Sequence, residues 1–411
     1  MHVSQVPDVA AVQTRTVRVL VIGQILGGIG IGATLSIGAV LAAEVSGSEA
    51  WAGAAATMST LGAALAAIPL ARIAHRSGRR VSLTTGVLAS ALGATVTVAA
   101  TSLGSFPLLL LGFALLGAGA AVNLQSRFAA TDVASAEHRG RDLSIVVWSA
   151  TVGAVAGPNL FGPGETIAEW LGMPPLTGSF AIAIAAQLLT AVVFAVGLRP
   201  DPLLVSRTLA PPQTASNAYS VVRARLLVVF AISAIGLSHA IMVSVMAMTP
   251  VHLVHHGAAL TIVGITISLH VAGMFGLSPV FGWLSDRIGR IQTILIGQGL
   301  FAAALATVGI GSDDTTLVTV GLVLLGLGWS ASTVSGSALI ADLVTGPERT
   351  RTQGRTDLVM NLSGAVGGAS AGPVLAVIGY PGLAACAGAL VVVVIVGALA
   401  VGGRRDTLVP A

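Results

Sequence analysis

Gly282-Trp283-Leu284-Ser285-Asp286-Arg287-Ile288-Gly289-Arg290 places three charged residues within five positions, in a 411-residue chain that is 55 % hydrophobic and only 9 % charged. Apolar runs flank it, 259–284 before and 291–311 after. Each has the ~20 residues that a bilayer crossing needs. A short charged piece between two such runs is a connector between membrane helices.

Working outward, the same alternation fills the chain. Apolar runs fall near 17–43, 50–72, 81–102, 106–131, 142–163 and 178–198, then near 225–250, 259–284, 291–311, 315–341, 356–378 and 381–402. The expected fold is an all-α polytopic membrane protein with twelve transmembrane helices in two pseudo-symmetric six-helix bundles. The divisions are 1–198, a central cytoplasmic loop 199–224 that opens on Arg-Pro-Asp-Pro, and 225–411. The first run is too long for a secretory h-region and reads as an uncleaved span. Soluble domains carry about 25 % charged residues, which excludes that class and disorder with it. The ten-residue alternation of a membrane β-barrel is absent. A lone cysteine, Cys386, excludes an internal disulfide and a cysteine-based metal cluster.

All basic residues are arginines, and their placement orients the chain. With the N-terminus inside, Arg15, Arg18, Arg72, Arg76, Arg79, Arg80, Arg139, Arg141, Arg199, Arg207, Arg223, Arg225, Arg287, Arg290, Arg349, Arg351, Arg355, Arg404 and Arg405 all face the cytoplasm. The outer loops hold acids instead: Glu44, Glu49, Glu165, Glu169, Asp313 and Asp314. This one-sided pattern predicts the cytoplasmic (inner) membrane with both termini cytoplasmic. Arginines spread over many short loops are topology signals and not a nucleic-acid footprint.

The two halves repeat. Asp142 precedes Gly153-x-x-x-Gly157-Pro158, and Asp357 precedes Gly368-x-x-x-Gly372-Pro373, with 16 positions from Asp to Pro in both. Gly78-Arg79 matches Gly289-Arg290, and Gly117-x-Gly119 matches Gly326-x-Gly328. Internal repeats of this kind mark secondary transporters.

With these features the chain resembles the major facilitator superfamily, whose loop pattern is G-x-L-x-D-R-x-G-R. The resemblance implies a cytoplasmic latch formed by Gly282, Asp286, Arg287, Gly289 and Arg290, changing as the halves rock. Asp286 would accept hydrogen bonds at a helix N-terminus, and the arginines would meet carboxylates. The first-half counterpart, His75, Arg76, Gly78 and Arg79, has Ala71 and His75 where the pattern has Gly and Asp. An imidazole is not the same anionic cap, so this latch is weaker or pH-switched; a solvated His75 is the alternative. By repeat symmetry Arg79 should pair with Asp132 and Arg290 with Asp342.

Gly153, Gly157, Pro158 and Gly162 resemble the superfamily's antiporter signature, which implies export, with Phe161 in place of one Gly. Gly368, Gly372 and Pro373 are its repeat mates. Close helix packing is the other use of such a pattern. The span-four arginine common in proton-coupled drug exporters is absent, Phe113 standing there.

Ionisable groups inside a membrane helix are costly and functional. No Asp or Glu falls near the midplane, but His239 and His270 do. Each is either a carrier of the coupling proton or a neutral, hydrogen-bonded packing residue. His239, Met242, Met246 and Thr249 form one stripe, suited to a hydrophobic cavity or to plain packing. Gln24, Asn123, Arg127, Met242, Met246, Ser330 and Thr333 lie on spans one, four, seven and ten, which line the central cavity in the family. Arg127 either meets an anionic substrate group or snorkels to pair with Asp132. His252, His255 and His256 have no carboxylate or Cys nearby to complete a metal set.

The leading reading is a secondary active transporter that exports a small hydrophobic compound by rocker-switch alternating access in exchange for protons. The alternative is an importer or facilitator of a polar metabolite. The expected partners are that small molecule, protons and the lipid bilayer, with no nucleic acid, obligate protein partner, metal or cofactor. Neither H-E-x-x-H nor G-x-x-x-x-G-K-[ST] occurs, so the chain does not read as an enzyme.

Overall fold

A computed structural model describes residues 9–48, 51, 54–156, 160–209, 221–258, 260–346 and 348–402. Among these residues the regular structure is all helical. The helices are α1 (Val9–Ser46), α2 (Ala54–Leu103), α3 (Phe106–Ala129), α4 (Arg139–Ala156), α5 (Phe161–Leu171), α6 (Gly178–Gly197) and α7 (Pro202–Leu209). They continue with α8 (Val221–His255), α9 (Leu260–Gly276), α10 (Ser278–Ile288), α11 (Arg290–Ile310), α12 (Thr315–Leu343) and α13 (Glu348–Gly402).

Nine helices among the described residues are long and apolar enough to cross a bilayer. Two of them, α2 with 50 residues and α13 with 55, are far longer than one crossing. Each breaks at a glycine with positive φ, Gly78 in α2 (φ 89°) and Gly379 in α13 (φ 71°), and so makes two passes. With α4 and α5 on the fifth run, the twelve-span fold is complete. Val192, Val392, Val396 and Leu399 are more than half exposed, a surface suited to lipid and not to water.

The termini follow local chemistry. Proline occupies the first turn of α3 and of α10, where its missing N–H is no loss. Asp314 caps α12, its side chain accepting from the N–H groups of Thr316 and Leu317 at 2.7 and 3.2 Å. Asp314→Ala should cost about 1 kcal/mol, read as a lowered midpoint in detergent denaturation; Asp314→Asn should keep most of it.

Two expectations need correction. The eighth run is not one helix: α9 ends at Gly276 and α10 restarts at Ser278. The nonapeptide 282–290 is not a loop either, being helical through Ile288, with Gly289 (φ 110°) alone making the turn into α11.

The chain divides into two compact units, Met1–Gln213 with Gly346–Leu358, and Thr214–Thr345 with Val359–Ala411. The start of α13 therefore groups with the first unit. The core of that unit packs Leu20, Leu83, Val87, Val122, Val146 and Phe194 from five helices. A second cluster joins Ile37, Leu41, Leu109, Phe113 and Phe180.

Candidate functional site

In the first unit, polar groups from α2, α3 and the start of α13 meet in a buried network. Arg79 is 1 % exposed and donates from Nε and Nη2 to Asp132 at 2.8 and 3.2 Å. This is the partner that the repeat implied. Nη2 also donates to Gln353 Oε1. Arg349 donates to the carbonyl and hydroxyl of Thr131 at 2.8 and 3.0 Å and lies 3.7 Å from Asp132. His75 Nδ1 is 3.3 Å from Thr350 Oγ1, and Arg76 is exposed.

Arg127 neither snorkels nor pairs with Asp132. Its Nη2 donates to Asp357 Oδ1 at 2.7 Å, with Arg127 1 % and Asp357 0 % exposed. A fully buried guanidinium needs a counter-charge at its own depth, and Asp357 stands there while Asp132 serves Arg79. Sequence reasoning missed Asp357 as a site residue. The signal was present, since Asp357 is the repeat mate of Asp142, but the residue stood in the first turn of the run 356–378, away from the midplane where ionisable groups were sought.

Deeper in this unit, Gln24 donates to the Asn123 carbonyl at 3.3 Å. Both border a cavity of about 10 Å³ that Gly27, Gly119, Gln187 and Phe194 also line. A water molecule fills such a space, and a substrate does not. Gly153 on α4 backs directly onto Gly28 of α1, where an added Cβ would run into backbone. Gly157 and Pro158 lie outside the described residues. Gly162 and Gly372 face open space, and Gly368 lies near Val243. Pro373 lies inside α13.

In the second unit, Arg290 Nε donates to Asp342 at 3.0 Å, and Nη1 donates to Ser285 and Asp286. Asp286 thus serves an arginine one turn on as its partner. Arg287 lies over the Trp283 ring at 5.2 Å, a cation–π contact in place of the expected carboxylate.

The two midplane histidines differ. The Trp329 indole N–H donates to His239 Nδ1 at 2.9 Å, so in this geometry the ring proton is on Nε2. Trp329 also meets Phe275 edge-on at 5.7 Å. Trp329 was not singled out in the sequence, although a buried indole N–H calls for an acceptor. His270 is fully buried and its Nδ1 donates to the Leu322 carbonyl at 2.7 Å, tying α9 to α12. Met242 is 3 % exposed and Met246 half-buried. Ser330 and Thr333 are buried, with hydroxyls that have no hydrogen-bond partner among the described residues. No group of three or more metal-ligating side chains occurs among the described residues.

The model of the Major Facilitator Superfamily matches residues 20–269 and 232–409. The chain is 38 % identical over 371 residues to the uncharacterized MFS-type transporter YddS of Bacillus subtilis (strain 168), covering 88 % of this chain and 85 % of that one. It is 28 % identical over 356 residues to the riboflavin transporter RfnT of Brucella anthropi, covering 85 % and 86 %. The human organic anion transporter MFSD10 has a similar structure, with a TM-score of 0.78, 14 % identity and coverage of 94 % and 99 %.

Proposed function

Since this chain belongs to the major facilitator superfamily, whose members are multi-pass membrane transporters and not enzymes, we propose that it exports a small hydrophobic molecule across the cytoplasmic membrane in exchange for protons, by alternating access. Both termini lie inside, the orientation favoured by the one-sided arginines. The observation that carries this reading is the buried Arg127–Asp357 pair. A carboxylate sealed from water stays ionised only with its counter-charge beside it. When Arg127 moves away, Asp357 takes up one proton; when the pair reforms, the proton leaves. Alternating access supplies such a separation and lets the proton enter from one side and leave to the other. The direction, outward, rests on the Gly153 motif of span five.

A second reading, import of a polar metabolite, is favoured by the name of one relative, a riboflavin transporter. Inverted membrane vesicles with an imposed, collapsible pH gradient separate the two, with ethidium and riboflavin as probes. Gradient-dependent accumulation of ethidium, reduced at least about tenfold in Asp357→Asn, is the expected result. Riboflavin equilibration independent of the gradient, without ethidium uptake, would replace export by the second reading.

A further inference from the structure

The turn at Gly78 is held by a residue from outside its own loop. Gly78 has φ 89° and ψ 173°, and a Cβ there would run into the carboxylate of Asp201. Asp201 Oδ2 accepts from the Arg80 N–H at 2.8 Å, at the start of the second half of α2. Its Oδ1 accepts from the N–H groups of Leu203 and Leu204 at 3.0 and 3.2 Å, at the start of α7. One carboxylate therefore serves two helix N-termini, each of which favours an anion. A second clasp closes nearby, where Arg207 Nη2 donates to the His75 carbonyl at 2.7 Å. Leu203 and Val205 of α7 are buried beneath, so the linker helix is seated on the first unit by its apolar face as well.

The second-half turn has its own acid. Asp286 stands three residues before Gly289 and holds Arg290. The matching position before Gly78 is His75, which brings no negative charge when neutral and the wrong sign when protonated. We propose that Asp201 is the missing carboxylate of the first turn: the linker after span six supplies in trans the negative charge that position 75 lacks, and this makes α7 a working part of the first latch.

The test has two arms. With Cys386→Ser as background, Val205→Cys reports seating of α7 through its maleimide labelling rate in inverted vesicles. Asp201→Asn should raise that rate about tenfold; an unchanged rate overturns the clasp. Gradient-driven ethidium uptake, which rests on the export reading, should fall about tenfold in Asp201→Asn. It should return when His75→Asp is added, while labelling stays fast. Arg207→Ala keeps the carboxylate, so it should speed labelling but lower uptake less than Asp201→Asn does, which separates looser seating from loss of the carboxylate. Uptake unaffected by Asp201→Asn, or not restored by His75→Asp, overturns the assignment. If the unsubstituted protein moves no ethidium, the export reading fails by itself. Riboflavin equilibration then takes the same variants, and the labelling arm decides the clasp regardless.

Discussion

Arg127→Ala should cost about 3–5 kcal/mol of stability and abolish proton-driven transport. The guanidinium and the Asp357 carboxylate meet at 2.7 Å with both side chains almost wholly shielded. Truncating the arginine strands a buried anion, whose cost far exceeds the net worth of the pair itself. The reverse truncation, Asp357→Ala, should be similarly harmful. Replacing both together, Arg127→Met with Asp357→Leu, should recover most of the stability, because no charge is then left without its partner. That double variant should still fail to couple uptake to a pH gradient. Denaturation midpoints in mild detergent read the first effect and inverted vesicles read the second. A single truncation that costs under about 1 kcal/mol would mean that water reaches the pair, and the coupling role would go with the burial. A double variant with full gradient-driven uptake would remove that role directly.

Gly153→Val should be the most damaging change on span five. An added side chain at Gly153 meets the Gly28 backbone, which has no rotamer to give. The helices must part, at a cost of at least about 1–3 kcal/mol. Gly372, on the corresponding run of the second half, has nothing within 4 Å of an added Cβ. Gly372→Ala should be neutral or stabilise by up to about 1 kcal/mol through helix propensity. Gly162→Ala should behave like Gly372→Ala. Yield and melting of the three purified variants check this order. A mild effect at Gly153 would mean that α1 and α4 yield more easily than their backbone contact implies.

Much of this molecule was legible in residue spacing. The matched positions of Gly78 and Gly289 pointed to two equivalent turns, and both have positive φ. The repeat also paired Arg79 with Asp132 and Arg290 with Asp342, because each acid closes the second run after its arginine. Illegible features depended on depth and on distant contacts. Arg127 lies five residues from Asp132, so proximity in sequence suggested that partner. Burial instead demanded one at equal depth, and Asp357 is 230 positions away. The nonapeptide read as a loop because charge marks the membrane surface, while hydrogen bonding kept it helical through Ile288. Asp201 lay in a stretch read only as a divider, and polar composition does not reveal that a carboxylate folds back onto a glycine turn. The span-ten hydroxyls of Ser330 and Thr333, expected at a cavity wall, are both buried.

The hydrogen bond between Trp329 and His239 has a spectroscopic side. Trp51, Trp148, Trp170 and Trp283 are between 41 % and 86 % exposed, whereas Trp329 is 4 % exposed. Trp329 is therefore the one indole of the five that protein shields on nearly all sides. Its indole N–H occupies the one imidazole nitrogen that a second proton would have to take. Charging His239 must break that bond and set a cation beside the indole. The protein thus carries an optical gauge of the charge on His239, readable without label or substrate as the difference in emission between the protein and its Trp329→Phe variant.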